Sequence, residues 1–547
     1  MLRGRIPHLS AVLKRFDRTT GIVLKPYSTG LFEGWRFYLG WLLMAGLMFF
    51  CVVYGFFYAL TTPFLLTQFV APLGVLAALA TWALPDMRRA PTRALEILFF
   101  AFFIMAIVWP NYLAISLPGL PWITSVRLVG FPLLFILMVC VSVSAEFRER
   151  TGASVRSIPA LWIFVAGFVG VQGFSVLVSP NPIDSLNLVI AQQVSWTAIF
   201  FTACYVFLRP GNVEKWAVLL WAATIGLCLI GLWEQRLGHV PWSTHIPGFL
   251  AVGDEYVQKV LAGSRRLGSA MYRVQTIHST PLGFAEYLAM TSPFIIHFMM
   301  GPFRPLTRLL AALSLPLMLH VVLATDSRLG VVGFLLAALV YPLVWSFLRW
   351  QRVKGSLLEP AIVLAYPLFF TAALAVTFLV QRIKTKVWGG GAASYSDQAR
   401  IDQLNSGLPK IFTHPHGYGA GQGAEALGYT NLAGTLTIDN YYLLVALDYG
   451  VAGFILYYGA ILLVIFAIAR GVINREIDDG GDREIGFLVP VGISLLVFFV
   501  IKSIFSQDLN HTLQFMMMGI AAALMFRVKQ RGSSTSPDGR VLAQRQA

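Results

Sequence analysis

Charge is what this chain is shortest of. Only 12% of its 547 residues are Asp, Glu, Lys or Arg, 57% are hydrophobic, and mean hydropathy is +0.70. So little charge excludes an ordinary soluble globular protein. Acidic residues are scarcer than basic ones, 26 against 41, yet the resulting +15 does not point to nucleic acid. Lys and Arg collect in short connections between apolar runs and at both tails, and no RNA- or DNA-binding motif accompanies them. Cysteine is sparse too: Cys51, Cys140, Cys204 and Cys228 all fall inside apolar runs, at no metal-ligand spacing, and read as small packing residues. The short alternating segments of a membrane barrel are also missing, which leaves a helical bundle.

What the chain does have is a series of apolar runs from residue 38 to residue 528. A helix needs about 20 such residues to cross a bilayer core of about 30 Å. The reading is an all-α polytopic membrane protein with about fourteen transmembrane helices. Spans are expected at 38–60, 64–84, 96–116, 128–145, 159–178, 185–208, 215–235, 281–300, 305–325, 329–348, 358–381, 441–470, 486–503 and 510–527. The first apolar run begins near Phe37, is too long for a signal h-region and lacks a small-residue cleavage site, so the first span is expected to direct insertion.

Charge then sets the topology. Arg88, Arg89 and Arg93, then Arg148, Arg150 and Arg156, and later Arg349, Arg352 and Lys354, recur in alternate loops, which places both termini in the cytoplasm. Residues 1–34 form a basic tail that either lies on the anionic inner surface or is disordered. Residues 35–528 form one bundle, and residues 529–547 a disordered cytoplasmic tail. Two external segments break the charge rule. Residues 236–280 carry Arg236, Lys259, Arg265, Arg266 and Arg273, and residues 382–437 carry Arg382, Lys384, Lys386, Arg400 and Lys410. An anionic substrate at the outer face is the simplest reason for cations there.

Most polar chemistry sits between Gln381 and Gly450, a long, partly helical loop before the twelfth span. Arg328, in ATDSRLGVVGF, stands at the outer junction of the ninth and tenth spans. A guanidinium at that depth implies either an anionic partner with a function or neutralisation by Asp326 or headgroups. Arg400 lies in SYSDQARIDQLNSGLPKIF, where Ile401, Leu404, Leu408 and Ile411 follow helical spacing, so Arg400 faces either the bundle or solvent. The glycine-rich HPHGYGAGQG lacks the strand and the lysine of a nucleotide loop, but its backbone donors can approach a phosphate. His414 and His416 are too few for a metal site, and no metal is expected. Asp439 or Asn440 caps the twelfth span, and Asp439 is also placed to act as a general base. Arg265, Arg266, Arg273, His278, His416 and Asn440 complete the candidate substrate-binding set; Arg273 suits an anion, and His278 suits a base, a ligand or a structural role.

This arrangement resembles the O-antigen ligase and polymerase family of bacterial envelope enzymes. The resemblance is carried by SRLG at 327–330, by Arg400 followed by HPHGYGAGQG at 414–423, by DNYYLLVALDYGVAG at 439–453 and, more weakly, by IHSTPLGFAEYLA at 277–289. It covers roughly residues 265–470; the first six spans match in hydropathy alone. It implies a metal-independent inverting glycosyltransferase, without cofactor, at the periplasmic face of the inner membrane. The donor it implies is an oligosaccharide on undecaprenyl pyrophosphate, with Arg328 and Arg400 on the pyrophosphate and Asp439 as base. Implied partners are membrane lipids and a chain-length regulator or export proteins. Ligases of this family typically have histidine before Asn440, so Asp439 favours the polymerase-like branch over ligation to another acceptor. A lipid-linked oligosaccharide flippase fits less well, because the chain shows no internal repeat and its polar material lies on one side. The long loop is expected to fold back over the span junctions, so that Arg400 and Asp439 join Arg328 and Arg273.

Overall fold

A bilayer offers the backbone no water to bond to, so apolar runs satisfy their own N–H and C=O groups as helices. The computed structural model describes Leu42, residues 76–86 and residues 90–535 other than 116–122, 251–254, 266–270, 354, 380, 382–383, 385–393, 431–435, 478–481 and 503–508. The first expected span, apart from Leu42, and the amino-terminal tail lie outside these residues.

The helices in order are α1 (Thr92–Val108), α2 (Ser125–Val143), α3 (Ala145–Arg156), α4 (Leu161–Val178), α5 (Pro182–Val206), α6 (Asn212–Leu237) and α7 (Glu255–Leu261). There follow α8 (Pro281–Met300), α9 (Pro305–Ala324), α10 (Arg328–Arg352), α11 (Leu358–Leu379), α12 (Ser394–Thr413), α13 (Gly423–Leu427), α14 (Tyr441–Ile473), α15 (Leu488–Ile501) and α16 (Leu509–Thr535). Among the described residues ten helices are long and apolar enough to cross a membrane. The chain is thus an all-α polytopic membrane protein. Three expected boundaries move. The span placed at 96–116 is helical over Thr92–Val108, because Pro110 and Asn111 end it. The carboxy-terminal tail expected from residue 529 remains helical to Thr535, and its remainder lies outside the described residues. The span placed at 441–470 is interrupted, as described below.

Helix α8 is the centre of the bundle, buried from Phe284 to Phe298, and it packs on α9, α10 and α15. Close approach to α10 depends on small residues: a Cβ added at Gly330 would come within 2.5 Å of the Ala285 Cβ. The SRLG and GFAEYLA stretches are therefore two sides of one contact. α16 and α15 are almost wholly enclosed, whereas α11 is exposed along its length and packs on α10 alone among the stronger contacts.

Alternation of the spans brings the α4/α5, α6/α8 and α9/α10 junctions, the start of α14 and the α15/α16 ends to one end of the bundle. Two short hairpins lie at this end, β1 (Ala114–Ile115) with β2 (Ile123–Thr124) and β3 (Ser264–Arg265) with β4 (Tyr272–Arg273). A separate small core of Tyr112, Leu113, Val240, Leu250, Val257, Val260 and Leu261 ties the residues just before β1 to the 236–280 segment, and Trp242 Nε1 donates to Tyr112 Oη at 2.9 Å. At the opposite end Arg527 pairs with Glu484 at 2.7 Å and with Asp482, in the loops that the charge pattern assigns to the inside.

Candidate functional site

Ser327 caps α10, its hydroxyl accepting from Gly330 N at 3.3 Å, and this makes Arg328 the first residue of the helix. Arg273 reaches the same turn from β4: its Nε donates to the Thr325 carbonyl at 3.0 Å, and Val274 N donates to Ala324 O at 3.3 Å. That reach is fixed from below by Glu234, a fully buried carboxylate near the end of α6. Glu234 accepts from Tyr272 Oη at 2.6 Å, Gln275 N at 3.1 Å and Thr276 N at 2.7 Å. Burial and the adjoining carboxylate push the Tyr272 phenol well above its ordinary value, so it remains a donor. Two guanidinium groups are thereby presented around one turn, both half-buried, an arrangement suited to phosphate oxygens. Glu234→Ala would leave three donors without their acceptor and is expected to cost about 3 to 5 kcal/mol. The check is a fall in the melting temperature of the detergent-purified protein.

The other half of the site starts from α12. Arg400, Gln403 and Gly407 share one face, spaced a turn apart. Gln403 is buried: its Oε1 accepts from Asp439 N at 2.8 Å and its Nε2 donates to Thr437 O at 3.4 Å. Gly407 lies against Leu443. The face that carries Arg400 is thus the one laid on the start of α14. The apolar residues divide differently from expectation: Ile411 is buried, while Ile401, Leu404, Leu408 and Phe412 are exposed. Asn440, not Asp439, caps α14, its Oδ1 accepting from Leu443 N at 3.2 Å. The Asp439 carboxylate instead accepts from Thr437 Oγ1 at 3.5 Å.

Helix α14 has 33 residues, about 50 Å at 1.5 Å per residue, and its backbone breaks at Gly450 (φ 69°, ψ −174°). A break in a spanning helix exposes backbone groups, and here the glycine-rich loop covers them. Tyr418 N donates to Leu447 O at 2.7 Å, Gly419 N to Asp448 O at 3.1 Å, and Val451 N to Pro415 O at 2.9 Å. Gly423 N donates to the buried Asp448 Oδ1 at 2.7 Å. Three of the loop's backbone donors, those of Tyr418, Gly419 and Gly423, are thus taken by the broken helix. The loop also meets the start of α5, where Ser185 Oγ donates to Ala420 O at 2.7 Å.

The remaining candidates have other surroundings. His278 is buried with its ring 5.3 Å from Phe284 and 5.5 Å from Tyr287, centroid to centroid. Arg265 is exposed on β3, and Arg266 lies outside the described residues. His416 is exposed, its ring 5.9 Å from that of His414.

One group passed over in the sequence joins the halves. Lys502, fully buried at the end of α15, donates to both oxygens of Glu286 on α8 at 3.1 Å, and its Nζ lies 4.9 Å from the Tyr441 ring centroid. Glu286, Ser327 and Gly330 line one narrow crevice with Gly283 and Ile501. The signal was present: a glutamate and a lysine inside apolar runs fall under the same rule that singled out Arg328.

Residues 313–458 match the O-antigen ligase family model, a segment that runs from α9 through the Arg328 turn, α12 and the glycine loop into α14. No curated protein matches the chain.

Proposed function

We propose that this chain, whose residues 313–458 match the O-antigen ligase family model, polymerises lipid-linked oligosaccharide repeats into a cell-surface or secreted polysaccharide. The observation that carries the proposal is that Lys502 links Glu286, which lines the crevice beside the Arg328 turn, to Tyr441, the residue that follows the Asn440 cap and Asp439. In this reading the site faces the periplasm from the inner membrane. A hydroxyl of one repeat attacks the anomeric carbon of a glycan on undecaprenyl pyrophosphate, with inversion. The new glycosidic C–O bond forms as the bond to pyrophosphate breaks, and the leaving pyrophosphate takes the electron pair. Arg328, Arg273 and Arg400 receive the charge that develops on it, a role guanidinium groups fill without a metal. The Asp439 carboxylate takes the hydroxyl proton. A helix start adds its positive end near the anion.

Asp439→Asn is expected to slow transfer about a hundred- to ten-thousandfold without loss of membrane insertion, as removal of a general base does. The check is the initial rate of lipid-linked repeat consumption by purified protein in liposomes. A variant that keeps the parental rate removes Asp439 from this role.

The family description itself favours a second reading, ligation of a finished glycan to a different acceptor. A deletion strain separates the two. A missing polymerase leaves single repeats on the carrier lipid, and a missing ligase leaves long chains on it. Lipid-linked sugar that crosses liposomes with no new glycosidic bond would instead identify a flippase.

A further inference from the structure

We propose that the Lys502–Glu286 pair is a positioning device that sets the separation between the two halves of the site. Glu286 is on α8, one helix turn beyond Leu282 and against the Ser327–Gly330 turn that begins α10. Lys502 ends α15 and lies over the rings of Tyr441, at 4.9 Å, and Phe498, at 5.2 Å. Tyr441 directly follows the Asn440 cap and the Asp439 carboxylate. One ammonium group therefore ties the anion-binding turn to the helix start that carries the base. Asn510 reinforces the same junction from α16, its Nδ2 donating to Gly283 O at 2.9 Å.

A buried ion pair adds little stability over an apolar pair of similar size, whereas removing one partner leaves an uncompensated charge. What the pair supplies is geometry. Two bonds of equal length to one carboxylate, with aromatic faces beneath the ammonium, hold Tyr441 at a fixed height relative to α8. Reaction between a donor held on one half and an acceptor activated on the other is sensitive to that height, since a misplacement of about 1 Å costs roughly a hundredfold in rate.

The inference rests on the proposed glycosyl transfer, and its test uses the full-length protein in liposomes with lipid-linked repeats. Lys502→Met combined with Glu286→Leu removes both charges together. The expected result is a melting temperature close to the parent's and a kcat lowered about a hundredfold, with KM for the lipid-linked donor changed less than about threefold. A role in stability alone predicts no such split. Should the double variant not fold, Tyr441→Leu keeps the pair and removes the ring beneath it, and the same fall in kcat at unchanged KM is expected. Parental turnover in whichever variant folds overturns the inference alone. A parent protein that forms no glycosidic bond overturns the proposed function, and the inference falls with it.

Discussion

Arg328→Ala is expected to lower transfer about a hundred- to a thousandfold, the range seen when one preorganised donor to a developing negative charge is removed. The argument starts from how firmly the residue is placed. Ser327 caps the helix, Gly330 lets α10 sit against Ala285, and Arg328 is thereby fixed as the first helical residue, between Ser327 and Leu329 of the crevice lining. A flexible surface arginine would spend binding energy on being ordered; the backbone of this one is placed before substrate arrives. Its neighbours add to the same end: Arg273 is tied to Thr325, and the start of α10 contributes its own partial positive charge. Arg328→Lys keeps the charge but not the planar fork that meets two phosphate oxygens at once, so it is expected to recover only part of the rate. The measurement is the initial rate of product formation in liposomes, alongside the melting temperature. Loss of rate with unchanged melting temperature supports the role, and a parental rate in Arg328→Ala assigns the pyrophosphate contact elsewhere.

Which parts of this arrangement were legible in the sequence follows from the kind of signal each gives. The bundle was legible because bilayer thickness fixes the length of an apolar run, and runs such as 281–300 and 305–325 return almost residue for residue as α8 and α9. Arg328, Arg273 and Arg400 stood out as candidates because charge at the wrong side or depth of a membrane demands a reason, and Asp439 because a carboxylate before a helix start suits a cap or a base. Lys502 and Glu286 obey the same rule, but their meeting is a contact between helices more than two hundred residues apart, |i−j| = 216, and periodicity carries no information at that range. Gln403 was missed for another reason. A neutral amide in a polar loop looks unremarkable until its two ends are seen holding Thr437 and Asp439. The first six spans gave only hydropathy, yet Gln172, Gln192 and Gln193 form a buried amide network there. Tyr449 of α14 joins it at 2.7 Å through Gln192, which binds the early spans to the broken helix. The π turn at Gln193–Thr197 places two members of the site's surroundings, Gln193 in that network and Trp196 stacked at 5.2 Å on His511.

Gly450→Val is expected to prevent accumulation of folded protein, the largest effect on stability at any single position in α14. At φ 69° and ψ −174° the residue occupies a backbone region that is essentially glycine's alone, and a side chain there costs about 1 to 3 kcal/mol in strain. Space adds to conformation. A Cβ at Gly450 would run into the Pro415 carbonyl oxygen and the His416 backbone, and both are main-chain atoms that cannot rotate away. Nor can the helix relieve the strain by straightening. A continuous α14 would take back the Leu447 and Asp448 carbonyls and strand Tyr418 N and Gly419 N in the interior, where each unpaired donor costs about 1 to 3 kcal/mol. The loop has no second position to adopt either, because Gly417 is itself pressed against Asp448 O and Gly450 N at distances a Cβ would reduce to 2.6 Å. Break and loop thus require each other, and the half-helix 441–449 that begins with the Asn440 cap is held by that mutual fit. Size-exclusion and thermal unfolding of detergent-purified variants test it, with Gly226→Ala as the control, since a Cβ at Gly226 meets nothing within 4 Å. A Gly450→Val protein that elutes and melts like the parent would mean that α14 is continuous in the membrane, and the placement of Asp439 derived from the break would have to be abandoned.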